Sequence, residues 1–494
     1  MILFLGTFKK LNAFLSQKRI FLLIFILFSF VLFLISARNV FTGSIAFWYD
    51  PARDLFLALS NLKKPTLIGP PSGIPGIFYG PYWIWFLSIP LIFTKDPRYV
   101  SFFVLTVPYF LIFSYILFNL RDKFGKLGVI SLIILFFLSF DSYAIQIWNP
   151  NLAPLLTFLL FYVLIYRNFK FKFFVVGILA GLLMNFHISF GLVVVLGIFL
   201  YLFLTFASNL KKFISPFIQY SIGVIAAFLP FFVFESKHGF NQIAVLAKTL
   251  SSHSAVVGVT GMSRSEIIDA FFGSFSKLIH VPFWVGIAIL IVGSLIYVSN
   301  IYKTKKIGDQ EKNLLLLLLS ITASLFAVYL SSKNPVWPYH FIAVEIIFVF
   351  LLGLFLKRIS AIRYLLFLWA LFFFFVSVFS WIQSFKTNPY LVSSLVTKEH
   401  VVKTILNDTN SKVTYYAYNP AIYTYDYDYL FGWLGKGRVV EDKNASVVYL
   451  IIPKSPKAVM DDFVGSITPG KSYRTTKEWK IEDGTIIIKR EKVS

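Results

Sequence analysis

Apolar residues in this chain come in long, nearly uncharged runs, and short clusters of lysine and arginine separate one run from the next. A helix of about 20 residues crosses a hydrocarbon core of about 30 Å, so runs of roughly 14 to 22 residues predict membrane-spanning helices. Barrel strands would alternate apolar and polar positions over about ten residues, and these runs do not. Roughly eleven spans are predicted, near 20–36, 99–120, 127–140, 152–166, 173–186, 189–206, 217–234, 282–298, 314–330, 341–356 and 364–381.

The run 80–93 is too short to assign by length alone, and charge decides it. If it does not cross, the basic loops at 121–126, 167–172, 211–212, 303–312 and 357–363 all fall on the side of the N-terminus, which itself carries Lys9, Lys10, Lys18 and Arg19. If it crossed, every one of them would be outside, against the positive-inside rule. Residues 80–93 are therefore expected to form a juxtamembrane helix at the outer surface, with the N-terminus cytoplasmic.

Composition agrees with a chain solvated by lipid. Of its 494 residues 57% are hydrophobic and only 14% charged, where soluble domains carry about 25% charged residues. The formal charge of +23 would suggest nucleic acid in a soluble protein, but its placement between spans makes it a topology signal, and no nucleic-acid partner is expected. Cysteine is absent, which excludes disulfides and thiolate metal sites. No small-residue cleavage site follows the first run, so it is read as a retained helix.

The predicted fold class is an all-α polytopic membrane protein with a small C-terminal α/β soluble domain. The membrane domain is expected over 1–382, with large outer loops at 37–98 and 235–280, and the extracytoplasmic domain over 383–494. That tail has about 110 residues, enough to bury a core. Its β-rich runs are 412–418, 447–452 and 485–489, and the alternating aromatics at 415–418 and 423–429 are read as strands.

Ionisable residues are scarce in the spans, Glu345 being the main exception, which weighs against an ion-coupled transporter. Polar chemistry gathers on the outer side. The richest stretch is Trp48-Tyr49-Asp50-Pro51-Ala52-Arg53-Asp54. Asp50 before Pro51 reads as a helix start, with the aspartate as N-cap. One turn on, Asp54 would share its face, with Arg53 beside it. A carboxylate there can accept a proton from an attacking hydroxyl, and an arginine can hold a phosphate. A constrained Gly-Pro loop follows, from Gly69 to Tyr79, leading into the aromatic 80–93 segment, whose tryptophans also suit an interfacial belt.

These features resemble the GT-C membrane glycosyltransferases, in particular the group of protein O-mannosyltransferases and aminoarabinose transferases. Their pattern is an acidic motif just after the first span, then a proline-containing segment and a juxtamembrane helix before the second. The chain departs from it in having Asp50-Pro51 where Asp-Glu is common, and in offering Asp141 and Trp148-Asn149-Pro150-Asn151 near the third span. The resemblance implies inverting transfer of a sugar from a polyprenyl-phosphate donor to a glycan, lipid or protein acceptor on the outer face, without an inherent need for metal. It places the general base on Asp50, with Asp54 in support and the reversed assignment left open. Candidate substrate-binding residues are Asp54, Arg53, Tyr79, Asn149, Asn151, His187, Lys333 and His340. The two histidines sit at outer helix ends, where a histidine is commonly a satisfied cap. A transporter or flippase of lipid-linked saccharides is the alternative reading.

Overall fold

The computed structural model describes residues 18–207, 209–251, 261–332, 335–385, 393–419, 423–442 and 444–493. Among these, nine helices are long and apolar enough to cross a membrane, from Arg19–Phe41 at the start to Ser360–Gln383 at the end. The 15-residue helix Lys172–Phe186 is a further apolar segment. The segment predicted at 217–234 is not one straight helix: Lys211–Ala227 and Leu229–Lys237 meet at a bend of 55°. Pro230 explains the break, because its ring cannot follow a helical carbonyl four residues back and it brings no N–H. All the predicted spans are thus helical, and the protein is a multi-pass membrane protein.

The segment expected to lie at the surface forms the short helix Tyr82–Leu91. Its 10 residues measure about 15 Å at 1.5 Å per residue, about half a hydrocarbon core. It packs on the preceding acidic helix, Tyr49–Lys63, where Ser88 Oγ donates to the Ala58 carbonyl at 3.1 Å and accepts from Asn61 Nδ2 at 3.0 Å. The acidic helix is amphipathic and buries Ala52, Leu55 and Ala58 on its inner face.

Between these two helices the Gly-Pro loop folds back on itself as a hairpin. Gly69 N–H donates to the Tyr79 carbonyl at 2.7 Å, and Tyr79 N–H to the Pro70 carbonyl at 2.9 Å. Gly80 closes the hairpin against Asn185, and an added Cβ would lie 1.6 Å from Asn185 Oδ1. Only glycine fits there. From the large loop after the bent span, Gln242 reaches across to accept from Phe78 N–H at 2.8 Å, and the buried Glu235 holds Gln242 in place.

The C-terminal region is an α/β unit with a four-stranded sheet: β1 (Thr414–Ala417), β2 (Val447–Ile452), β3 (Tyr473–Lys480) and β4 (Ile486–Lys492), in the order β1-β2-β4-β3. β1 and β2 are parallel and the other pairs antiparallel. Parallel neighbours need a crossover, and the helix Tyr425–Leu434 supplies it. The aromatic stretch 423–429 was expected as a strand; from Tyr425 onward it belongs to this helix. Asp426 and Asp428 favour the helix as first-turn acids, and Tyr425 and Tyr429 fall one turn apart on one face, where both pack on Phe56 of the acidic helix.

This region is tied to the first loop. Leu395 N–H donates to the Ile45 carbonyl at 2.9 Å, Val396 N–H to that of Gly43 at 3.1 Å, and Phe47 N–H to that of Ser393 at 3.0 Å. Arg98 grips Glu399 with two nitrogens, at 2.5 and 2.8 Å. Gly43 has a φ of +75°, and a Cβ there would lie 2.9 Å from the Arg98 guanidinium.

Candidate active site

The acidic helix begins at Tyr49, with Trp48 in the N-cap position. Asp50 is therefore not the cap expected from its place before Pro51; the helix starts one residue sooner, and no hydrogen bond among the described residues uses the Asp50 carboxylate to cap a backbone N–H. Pro51 is still tolerated, because the first four N–H groups of a helix have no intrahelical acceptor. Freed from capping, Asp50 Oδ1 pairs with Arg53 Nη1 at 2.8 Å, and its side chain stays 31% exposed.

Arg53 is the centre of the arrangement. Its Nε and Nη2 donate to Asp54 Oδ1 at 2.9 and 2.7 Å, and its guanidinium lies 5.3 Å from the Tyr49 ring centroid. Asp54 is fully buried, and its other oxygen accepts from Trp83 Nε1 of the helix Tyr82–Leu91 at 2.8 Å. Burial pushes the Asp54 carboxyl up to about 6, against the opposing pull of Arg53. At neutral pH Asp54 is an anion locked to Arg53, and Arg53 presents its remaining nitrogen to Asp50. The two carboxylates are thus unequal: one is accessible, the other supports it.

Other predicted residues stand around this pair. Tyr79, at the end of the hairpin, hydrogen-bonds with Asn149, and burial raises its phenol above the ordinary value, reinforced by Tyr339 and Asp50 nearby. Asn149 is buried and donates from Nδ2 to the Phe186 carbonyl at 2.8 Å. Asn151 turns away: its Nδ2 donates to the Gln146 carbonyl at 2.8 Å, and its own carbonyl accepts from Tyr109.

His187 and His340 come together, with ring centroids 5.8 Å apart. His187 Nε2 lies 3.2 Å from the Tyr339 carbonyl, which can only accept, so the proton sits on Nε2. Its Nδ1 accepts from Phe190 N–H at 3.2 Å and caps the next helix, and burial lowers its pKa to about 4. His340 Nδ1 accepts from Trp337 N–H at 3.3 Å. Both histidines are caps through one nitrogen. Lys333 lies outside the described residues.

Three aromatic residues at this place had no assigned role from the sequence. Trp83 fixes Asp54, Trp148 packs edge-on against Trp48 at 6.3 Å, and Tyr339 bridges Trp148 at 5.3 Å and His187 at 5.8 Å. Each belongs to an aromatic-rich run that an interfacial belt would also produce, so the sequence carries no signal that singles them out. Chemically, the site offers one accessible carboxylate paired with an arginine, hydrogen-bonding groups, and aromatic walls.

No family model and no curated protein matches the sequence. Among solved structures the chain is similar to ArnT from Cupriavidus metallidurans bound to undecaprenyl phosphate, with a TM-score of 0.57 at 10% identity, over 95% of this chain and 97% of that one. The likeness runs through both the helical bundle and the C-terminal α/β region, and the chain shares the fold of that protein.

Proposed function

We propose that this protein is an integral membrane glycosyltransferase that moves a sugar from a polyprenyl-phosphate donor to an acceptor hydroxyl at the extracytoplasmic face. The observation that carries this reading is the unequal acidic pair, a partly exposed Asp50 held through Arg53 by a buried Asp54, in a fold shared with a protein crystallised with undecaprenyl phosphate. The basic loops favour a cytoplasmic N-terminus, which puts Asp50 on the face where sugars arrive already attached to lipid. On this reading residues 1–382 form the catalytic membrane domain and 383–494 an extracytoplasmic domain.

In the proposed reaction Asp50 accepts the proton of the acceptor hydroxyl as its oxygen bonds to the anomeric carbon, while the bond from that carbon to the phosphate oxygen breaks. A single displacement inverts the anomeric centre and leaves the polyprenyl phosphate. Arg53 holds Asp50 in place through their ion pair, and Asp54 orients Arg53. Tyr79 and Asn149 are read as hydrogen-bonding groups for substrate oxygens, with Asn151, His187 and His340 shaping the wall behind them.

The test is turnover by the purified chain in nanodiscs with a panel of polyprenyl-phosphate sugars, followed by mass spectrometry. Asp50→Asn is expected to abolish transfer while leaving the thermal unfolding profile in place. Full turnover in that variant would overturn the assignment.

A further inference from the structure

The end of the bundle that carries Asp50 also holds a cleft of about 440 Å³, lined among others by Tyr143, Trp148, Gly273, Lys277, Tyr339 and Glu345. That volume lies in the range of small-molecule sites. Lys277, on the amphipathic helix Arg264–Leu278, donates from Nζ to Glu345 Oε1 at 2.6 Å and to the Tyr143 hydroxyl at 2.6 Å, and its side chain remains 47% exposed. Glu345 is 2% exposed, and its second oxygen, Oε2, has no hydrogen-bond partner. A buried carboxylate oxygen with no donor is costly, and native structures leave few of them.

The chemistry of the gap identifies what fits it. Oε2 requires a donor, while the ammonium of Lys277 has three N–H groups of which two are committed. A bare phosphate supplies no donor to Oε2 and would meet the carboxylate charge. A pair of sugar hydroxyls satisfies both groups at once, one donating to Glu345 and the other accepting from Lys277. The apolar face of a sugar ring then has Trp148 and Tyr339 to lie against, and these same two rings border the Asp50 cluster through Trp48 and His187. We propose that this cleft is a sugar-binding subsite in which Glu345 and Lys277 read adjacent hydroxyls. The proposal rests on the glycosyltransferase reading only for which sugar is held, the donor's or the acceptor's.

Binding to the full chain in nanodiscs tests it, with three sets of probes: undecaprenyl phosphate, the same lipid bearing a panel of hexoses and pentoses, and a panel of free oligosaccharides. Two variants are used. Lys277→Met removes a ligand donor but leaves Glu345 buried without its cation. Gly273→Phe fills the cleft while leaving both members of that pair in the chain, and a Cβ there meets only a ring carbon of Phe283 at 3.9 Å. If the cleft holds the donor sugar, one of the sugar-bearing lipids binds about tenfold or more tighter than the bare lipid, and both variants erase that difference. If it holds the acceptor, both variants weaken an oligosaccharide by a similar factor and leave lipid binding alone. Affinities unchanged in the variants, or a wild-type chain that binds no sugar-bearing probe, overturn the proposal. Turnover that depends on Asp50 together with unaltered sugar affinity in the variants would sink the cleft alone; sugar binding lost in the variants without any Asp50-dependent turnover would sink the transferase reading alone.

Discussion

Asp54 and Glu311 are both buried carboxylates surrounded by donors, and they stand at opposite ends of the bundle. Glu311 accepts from Tyr297 at 2.5 Å, from Lys357 at 2.7 Å and from Arg358, and Arg358 goes on to the Lys306 carbonyl at 2.8 Å. That network ties together the ends of the helices Phe283–Thr304, Asp309–Ser331 and Glu345–Arg358, and its charges are spent on one another. Asp54 is satisfied just as fully, by Arg53 and Trp83, yet Arg53 keeps one nitrogen for Asp50, which faces solvent. A buried ion network can lock a fold or hold a reactive group in place. The difference lies in which group reaches solvent: the ammonium of Lys357, 39% exposed, in the Glu311 network, and a carboxylate, Asp50, in the other.

Substitutions can break that contrast. The largest effect is expected from Asp50→Asn, which should cost about 10²- to 10⁴-fold in turnover, the usual contribution of a general base, with little change in unfolding temperature. Asp54→Asn should follow at about 10- to 100-fold, because Arg53 and then Asp50 lose their orientation.

The same pair makes a pH prediction. Because burial raises the Asp54 carboxyl to about 6, wild-type turnover should fall as pH drops through that value, when protonation releases Arg53. The inflection should be missing from the residual activity of Asp54→Asn. Linkage gives stability the opposite sign: a carboxyl whose folded pKa lies above its unfolded one contributes stability that is fully present below about 4 and lost as pH rises to about 6. Thermal unfolding of wild type and Asp54→Asn across that window checks it, and parallel curves would mean that Asp54 does not titrate there.

At the other end Glu311→Leu should destabilise by about 1–3 kcal/mol, since Lys357 and Arg358 keep access to water once unpaired. Turnover per folded molecule should be unchanged, and a large loss there would erase the distinction between the two ends. The smallest effect should come from Gln242→Ala, which strips Phe78 N–H of its acceptor at about 1 kcal/mol and should raise KM a few-fold through a looser hairpin, measured by steady-state kinetics.

Much of this molecule can be read without coordinates. Eleven nearly uncharged runs predict eleven helical segments because lipid offers backbone groups no partner, so each run must satisfy its own hydrogen bonds. The short aromatic run 80–93 is separated from the spans by the placement of lysines, and Tyr82–Leu91 is indeed too short to cross. Misreadings arise where local rules compete. Asp50-Pro51 has the form of a cap, yet the helix starts at Tyr49; Tyr423 to Tyr429 alternates like a strand, yet a helix packed on Phe56 takes most of it.

What the sequence by itself determined is therefore the membrane architecture and the family-like acidic loop, since hydropathy and charge act within about 20 residues of chain. Tertiary structure alone decided which carboxylate is buried and which is accessible, that Trp83 holds Asp54 from 29 residues away, and that Lys277 meets Glu345 across 68. Asp50 and Asp54 are chemically alike; burial tells them apart, and burial is a property of packing between distant segments that local pattern does not encode.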